Sequence, residues 1–159
     1  MDDLVRWFGE HLDEDERIAR AATHHEDYGV WTAKSFKQQE RLGRDRWALF
    51  DAVDDCVVSD VDAEGTEPEG VAQHIANWDP ARVLCEVDAK RRLLDDYVVT
   101  ARIRDEAAAR IKAAGDHPDA KDLETWDRAQ REAAILEGPV RLAALPLAVR
   151  PGYREDWRP

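Results

Sequence analysis

The sequence predicts a mainly α (α+β) fold. Three observations carry that expectation. Apolar residues recur at three- and four-residue steps along most of the chain, Gly and Pro fall where those stretches end, and strand-type composition is confined to one short region.

Residues 2–23 predict the first helix. Leu4, Phe8, Leu12, Asp15, Ala19 and Ala22 share a stripe, with Val5 and Ile18 beside it. Asp2 or Asp3 suits its start, where a carboxylate meets the positive end of the helix dipole. Residues 24–45 predict a loop followed by a short helix near 34–42. The run RWALFDAVDDCVVSD, residues 46–60, is rich in Val, Trp and Phe. It predicts one small β-hairpin with strands at 46–52 and 56–60, turning at Asp54-Asp55. An isolated hairpin is marginal, so one face is expected on the helices. Residues 62–70 read as a loop, and 69–77 as a short helix.

Asp79-Pro80 is a junction. Asp is a favoured N-cap and Pro a favoured first helical residue. Val83, Leu84, Val87, Leu94, Tyr97, Val98, Ala101, Ala108 and Ile111 form the next stripe. Lys90, Arg91 and Arg92 interrupt it, with room to lay their stems on the core. An unbroken helix to Ala114 would measure about 50 Å, more than the width of a small globule, which leaves room for a kink near Tyr97–Thr100. Gly115 stops it and Pro118 restarts a helix to about Glu137. The short link makes these neighbours antiparallel, so residues 79–137 form a helical hairpin. Gly138-Pro139 is expected to open a separate last helix through Ala148.

The length fits a single domain, 1–159, with the tail 150–159 docked on the body. The net charge is −12. Such a field repels phosphate, so duplex DNA at physiological salt and anionic membranes are not expected partners. The N-terminus MDDLVRWFGEHLDEDE lacks the basic head and apolar run of a signal peptide. Two cysteines, Cys56 and Cys85, make no disulfide framework. A reducing, cytoplasmic setting fits, with both thiols buried as small packing residues.

Two stretches, HIANWDPARVLCEVDAKRRLL (74–94) and LAALPLAVRPGYREDWRP (142–159), resemble a family of short actinobacterial and actinophage proteins of unknown function. The opening MDDLVRWFGEHLDEDERIARAA is similar as well. The resemblance covers about half the chain in three blocks. Many members carry a CxxC-type pair and a third cysteine between the later blocks. The segment between Tyr97 and Val140 has none, so a metal role implied by those cysteines does not carry over. The resemblance implies no activity, cofactor or catalytic residue.

Candidate sites are few. Asp60, Asp62, Glu64 and Gly65 mimic the start of a calcium loop. Its twelfth position should be a bidentate Glu and is Val71, so a solvated acidic loop is the better reading. His11, Asp15, His24 and His25 could supply metal ligands from the first helix and the loop after it. Cys85 and His74 flank the Asp79-Pro80 junction, where packing is favoured over thiol catalysis. Between Arg46 and Arg82 there is no Lys or Arg, and Asp54, Asp55, Asp60, Asp62 and Glu64 belong to an acidic face suited to a basic protein. Tyr153 and Trp157 are four residues apart in a tail that carries Arg150, Arg154 and Arg158. Trp157 is expected beside His74 and Trp78, with an arginine facing Asp79. No cofactor is expected. The leading functional expectation is a non-enzymatic interaction or regulatory protein, and its acidic face suits a basic protein partner. The alternative is a metal-binding protein or metal-dependent enzyme built on the N-terminal His and Asp residues. The sequence leaves the oligomeric state open.

Overall fold

A computed structural model of the chain describes residues 1–23, 29–37, 45–61 and 67–159. Its helices are α1 (Asp2–Ala21), α2 (Pro68–Asn77), α3 (Pro80–Ala114) and α4 (Ala120–Ala144), and its strands β1 (Thr32–Lys37), β2 (Asp45–Phe50) and β3 (Cys56–Val58). Single 3-10 turns follow at Leu145–Leu147 and Glu155–Trp157. The fold is mainly α with one small antiparallel sheet in the order β1-β2-β3. Among the described residues, no helix is long and apolar enough to cross a membrane. The chain divides into two compact units, Glu14–Val87 and Met1–Asp13 with Asp88–Pro159.

The first of these units holds the sheet. β2 pairs with β3 as the sequence led us to expect, but β1 replaces the helix expected from residue 34, whose remainder at 38–42 lies outside the described residues. The reason is alternation. Trp31 and Ala33 turn toward the apolar cluster of Leu49, Val61 and Ala72, while Thr32 and Lys34 face water. That period-2 burial serves a strand and would be scrambled by a helix. Val71, Ile75 and Ala76 of α2 cover the same cluster.

The hairpin turn is organised by Asp51, not by Asp54-Asp55 alone. Asp51 Oδ1 accepts from the backbone N–H of Val53 (3.0 Å) and of Asp55 (2.9 Å). Asp54 takes the left-handed conformation, φ 71°, which Asp tolerates better than most residues. Asp54 also pairs with Lys34, and Asp60 with Arg46.

Asp79 closes this unit. It is buried, and its carboxylate bridges two chain segments. Oδ1 caps α3 by accepting from Arg82 N–H (2.8 Å), while Oδ2 accepts from Trp31 N–H just before β1 (3.1 Å). The Gly29 carbonyl accepts from Ala81 N–H (3.0 Å) beside it. One side chain therefore fixes both the start of α3 and the entry to the sheet.

The second unit is built on the α3–α4 hairpin. α3 is one helix from Pro80 to Ala114, passing through Tyr97–Thr100. Gly115, at φ 61°, ends it as a left-handed stop. Asp119 then caps α4, its side chain accepting from Lys121 N–H (2.7 Å), so the helix begins after Pro118 rather than at it. Arg110 of α3 donates to Asp122 of α4 (2.8 Å), and Tyr97 lies in the field of Glu137. Those numbers fall along one helix as they rise along the other, so the pair is antiparallel.

The break expected at Gly138-Pro139 does not occur, and α4 continues to Ala144 with Pro139 inside it. A proline in a helix interior costs about 3 kcal/mol. Ala133, Val140 and Ala144 are all buried at helical spacing, and an uninterrupted helix keeps them on one stripe. Burying Val140 alone is worth roughly 1.5–3 kcal/mol, so packing offsets the local penalty. The α1 residues Leu4, Trp7, Phe8 and Leu12 are buried in this unit with Leu94 and Tyr97. Arg91, on the Lys90–Arg92 run, reaches Asp13 (2.6 Å).

Two tests follow from these contacts. Asp79→Ala removes a cap and a strand-entry bond together, so it should destabilise the protein by about 1–3 kcal/mol. Asp79→Asn should retain part of that stability. Urea unfolding checks both, and a loss below about 0.5 kcal/mol for the alanine variant would contradict the bridging role. The second concerns Tyr97. Burial, aided by the Glu137 carboxylate, raises its phenol above the ordinary value of 10.0. A raised folded value means the folded state holds the proton more tightly. The contribution is thus complete below pH 10 and lost as pH rises beyond it. Wild-type stability should fall more steeply than that of Tyr97→Phe above pH 10, as thermal melts at several pH values would show.

Candidate functional site, an aromatic cleft at the C-terminal tail

The tail is short of apolar residues, so its two large rings decide where it rests. Trp157 is buried and Tyr153 partly so. Both rings pack against Trp7 on α1. The Trp7 ring centre lies 5.6 Å from Trp157 and 5.4 Å from Tyr153, and those two are 5.7 Å apart. His11, one turn further along α1, meets Trp7 edge-on at 4.5 Å. Tilted and edge-on arrangements suit ring quadrupoles.

Trp7 also anchors the backbone. Its indole Nε1 donates to the Pro151 carbonyl (2.9 Å). The next residue, Gly152, has φ 86°. A Cβ there would lie 3.1 Å from both Cδ1 and Nε1 of Trp7. Glycine is therefore required twice, for the backbone conformation and for the closeness of the ring. Further along, Trp157 N–H donates to Arg154 O (3.0 Å) to close the last 3-10 turn.

Charged groups surround the rings. Arg154 contacts Asp3 (3.3 Å) and Asp156 (2.8 Å), and its guanidinium lies 5.5 Å from the Trp157 ring centre. Arg6 pairs with Asp3 (2.9 Å). Arg141 of α4 reaches the Asp156 carbonyl (2.7 Å), and Arg150 the His11 carbonyl (3.4 Å). Between these side chains lies an open cleft of about 250 Å³, lined by Asp3, Arg6, Trp7, Glu10, Gly152, Arg154 and Trp157. Glu10 makes no ion pair with another described residue. The cleft joins aromatic walls to carboxylates and guanidiniums without a nucleophile set against a base. It is suited to holding a ligand.

The sequence-expected sites fall differently. Within its own unit Trp157 packs on Trp7, while His74, Trp78 and Asp79, beside which the sequence led us to expect it, belong to the other unit. Asp79 is occupied by Arg82 and Trp31. Trp78 is about half exposed and stacks under the Arg82 guanidinium at 4.2 Å, and His74 is exposed. The arginine expected at Asp79 faces Asp3 instead. His11 is an aromatic neighbour of Trp7, while His24 and His25 lie outside the described residues. Among the described residues, no group of three or more His, Cys, Asp or Glu is placed to hold a metal. Of the acidic face, Asp54 and Asp60 have basic partners, Asp55 is exposed at the turn, and Asp62 and Glu64 lie outside the described residues. Cys56 and Cys85 are both exposed rather than buried. Cys85 adjoins the half-buried Leu84 on α3.

Trp7 and Gly152 escaped the sequence reading. Trp7 lies one residue before Phe8 on the buried side of α1, so it was legible as core. Its tail partners are 144 positions away in sequence, beyond any local signal. No curated protein and no solved structure matches the chain. One family model does, over residues 1–159.

Gly152→Ala tests the seat directly. It should cost about 1–3 kcal/mol through strain and collision with Trp7. Denaturant unfolding reads the loss, and an increase in tryptophan accessibility to iodide reads the loosened tail. A neutral Gly152→Ala would show that the tail is not held by this contact.

Proposed function

We propose, from the premise that the chain belongs to a family of unknown function (DUF6221), that it is a non-enzymatic interaction module. In this reading the α1–tail cleft receives one basic side chain of a protein partner in the cytoplasm. The observation that carries it is the cleft itself, with Trp7 and Trp157 as walls and Glu10 at its lining. A guanidinium or ammonium beside an aromatic ring gains about 0.5–2 kcal/mol, more as it is desolvated. A carboxylate with no ion-pair partner among the described residues adds a charge-assisted hydrogen bond. The volume suits one long side chain rather than a cofactor.

The net charge of −12 works in the same direction. It draws a basic partner in over distances of about one Debye length, roughly 8 Å at physiological salt. Arg6 and Arg154 do not block such a ligand by charge alone, because Asp3 and Asp156 already balance them. Asp55, exposed on the hairpin turn, belongs to the more general field and gives no enclosed contact.

Titration of tryptophan fluorescence with an arginine-rich peptide at ~150 mM salt tests this reading. Wild type should bind in the micromolar range, and an acidic peptide of equal length should not bind. Glu10→Arg should weaken the complex about tenfold, while Asp55→Arg should change it less than about threefold. No binding by wild type, or equal effects of the two variants, would defeat the proposal.

A further inference from the structure

The tail displays, on its own arginine, how this part of the molecule holds a guanidinium. Arg154 grips Asp156 with a two-pronged fork, Nε donating to Oδ1 (3.1 Å) and Nη2 to Oδ2 (2.8 Å). Its Nη1 donates to Asp3 Oδ2 (3.3 Å), and the guanidinium carbon lies 5.5 Å from the centre of the Trp157 ring. Fork and ring together suit a planar guanidinium, whose donors run parallel. The three donors of a lysine ammonium diverge from one point and cannot form such a fork.

The carboxylates near the rings differ in what they have left to offer. Both oxygens of Asp156 are taken by Arg154. Asp3 is taken as well, Oδ1 by Arg6 (2.9 Å) and Oδ2 by Arg154. Glu10, one turn beyond Trp7 on α1, is exposed and lines the cleft. It has no hydrogen bond or ion pair with another described residue, so both of its oxygens are open.

We propose that the cleft selects a guanidinium over an ammonium, with Glu10 as the specificity-determining residue. This rests on the reading of the cleft as the seat of a partner's basic side chain, and it names that side chain as arginine. The indoles form walls, but only 7% of Trp7 and 6% of Trp157 is exposed, so the rings offer little area to a ligand. The open carboxylate therefore decides which cation is held. An arginine sets two parallel charge-assisted hydrogen bonds on Glu10 and sheds its water easily, because a guanidinium is weakly hydrated. A lysine gains one such bond and must strip a strongly hydrated point charge.

Titration of tryptophan fluorescence with two peptides of equal length and net charge tests this. One carries arginine and the other lysine at every basic position, both at ~150 mM salt. The arginine peptide should bind wild type at least about tenfold more tightly than the lysine peptide. Glu10→Gln keeps the size of the side chain and removes its charge at an exposed position, so the melting temperature should not change. That variant should lose about tenfold in arginine-peptide binding and bring the two peptides within about threefold of each other. Lysine bound as tightly as arginine by wild type, or an arginine preference that survives Glu10→Gln, would overturn the guanidinium assignment and leave the basic-side-chain reading standing. Binding of neither peptide would defeat that reading, and this inference with it.

Discussion

The Trp7 indole is the contact on which the candidate site depends. It sits on a helix whose first turns are specified by local spacing, yet its partners come from the other end of the chain. Its N–H holds the Pro151 carbonyl, its ring edge excludes any side chain at Gly152, and its faces support Tyr153 and Trp157. Without it the tail would have to leave two aromatic rings in water, which costs roughly 2 kcal/mol or more for each ring. The Tyr153 hydroxyl is buried and has no hydrogen-bond partner among the described residues. The contribution of Tyr153 therefore lies in its ring, against the penalty of an unsatisfied hydroxyl.

Asp79 plays the corresponding part in the sheet-bearing unit, by a different means. A buried carboxylate is tolerable when hydrogen bonds replace its water. Here two backbone N–H groups do so, one from the helix it caps and one from the strand segment it ties down. The cap was legible in the sequence because Asp-Pro before an apolar stripe is a local signal. The bond to Trp31 was not, because it spans 48 positions.

The same division runs through the whole chain. Punctuation such as Asp79-Pro80 and Gly115 acts on neighbouring residues, and it was read correctly. β1 was missed because its water-facing side carries Thr32 and Lys34, its inward Ala33 is small, and the sequence around it has no strong hydrophobic alternation. Pro139 misled for the opposite reason. It is a strong local signal overruled by burial at Val140 and Ala144, which no single position announces. The tail was legible in its residues and not in its seat. Tyr153, Trp157 and the arginines were the informative side chains, but an acidic junction at Asp79 and an acidic helix start at Asp3 look alike until the fold chooses between them.

That choice also separates what seats the tail from what aligns it. Asp3, Arg6, Arg154 and Asp156 alternate in sign around the rings, and Arg141 ties Asp156 to α4. These side chains are largely exposed, and exposed pairs contribute about 0–1 kcal/mol each. They cannot rival the burial of Trp157 against Trp7. Their effect is directional, since an arginine between two carboxylates permits fewer tail orientations than a bare aromatic contact. A basic ligand entering the cleft meets the same alternation. On the proposed reading it would have to find Glu10 without displacing Arg154 from Asp3 and Asp156, so position as well as charge would count. Hydrophobic contact thus supplies the strength of the tail's seat, and the ring of paired charges supplies its orientation.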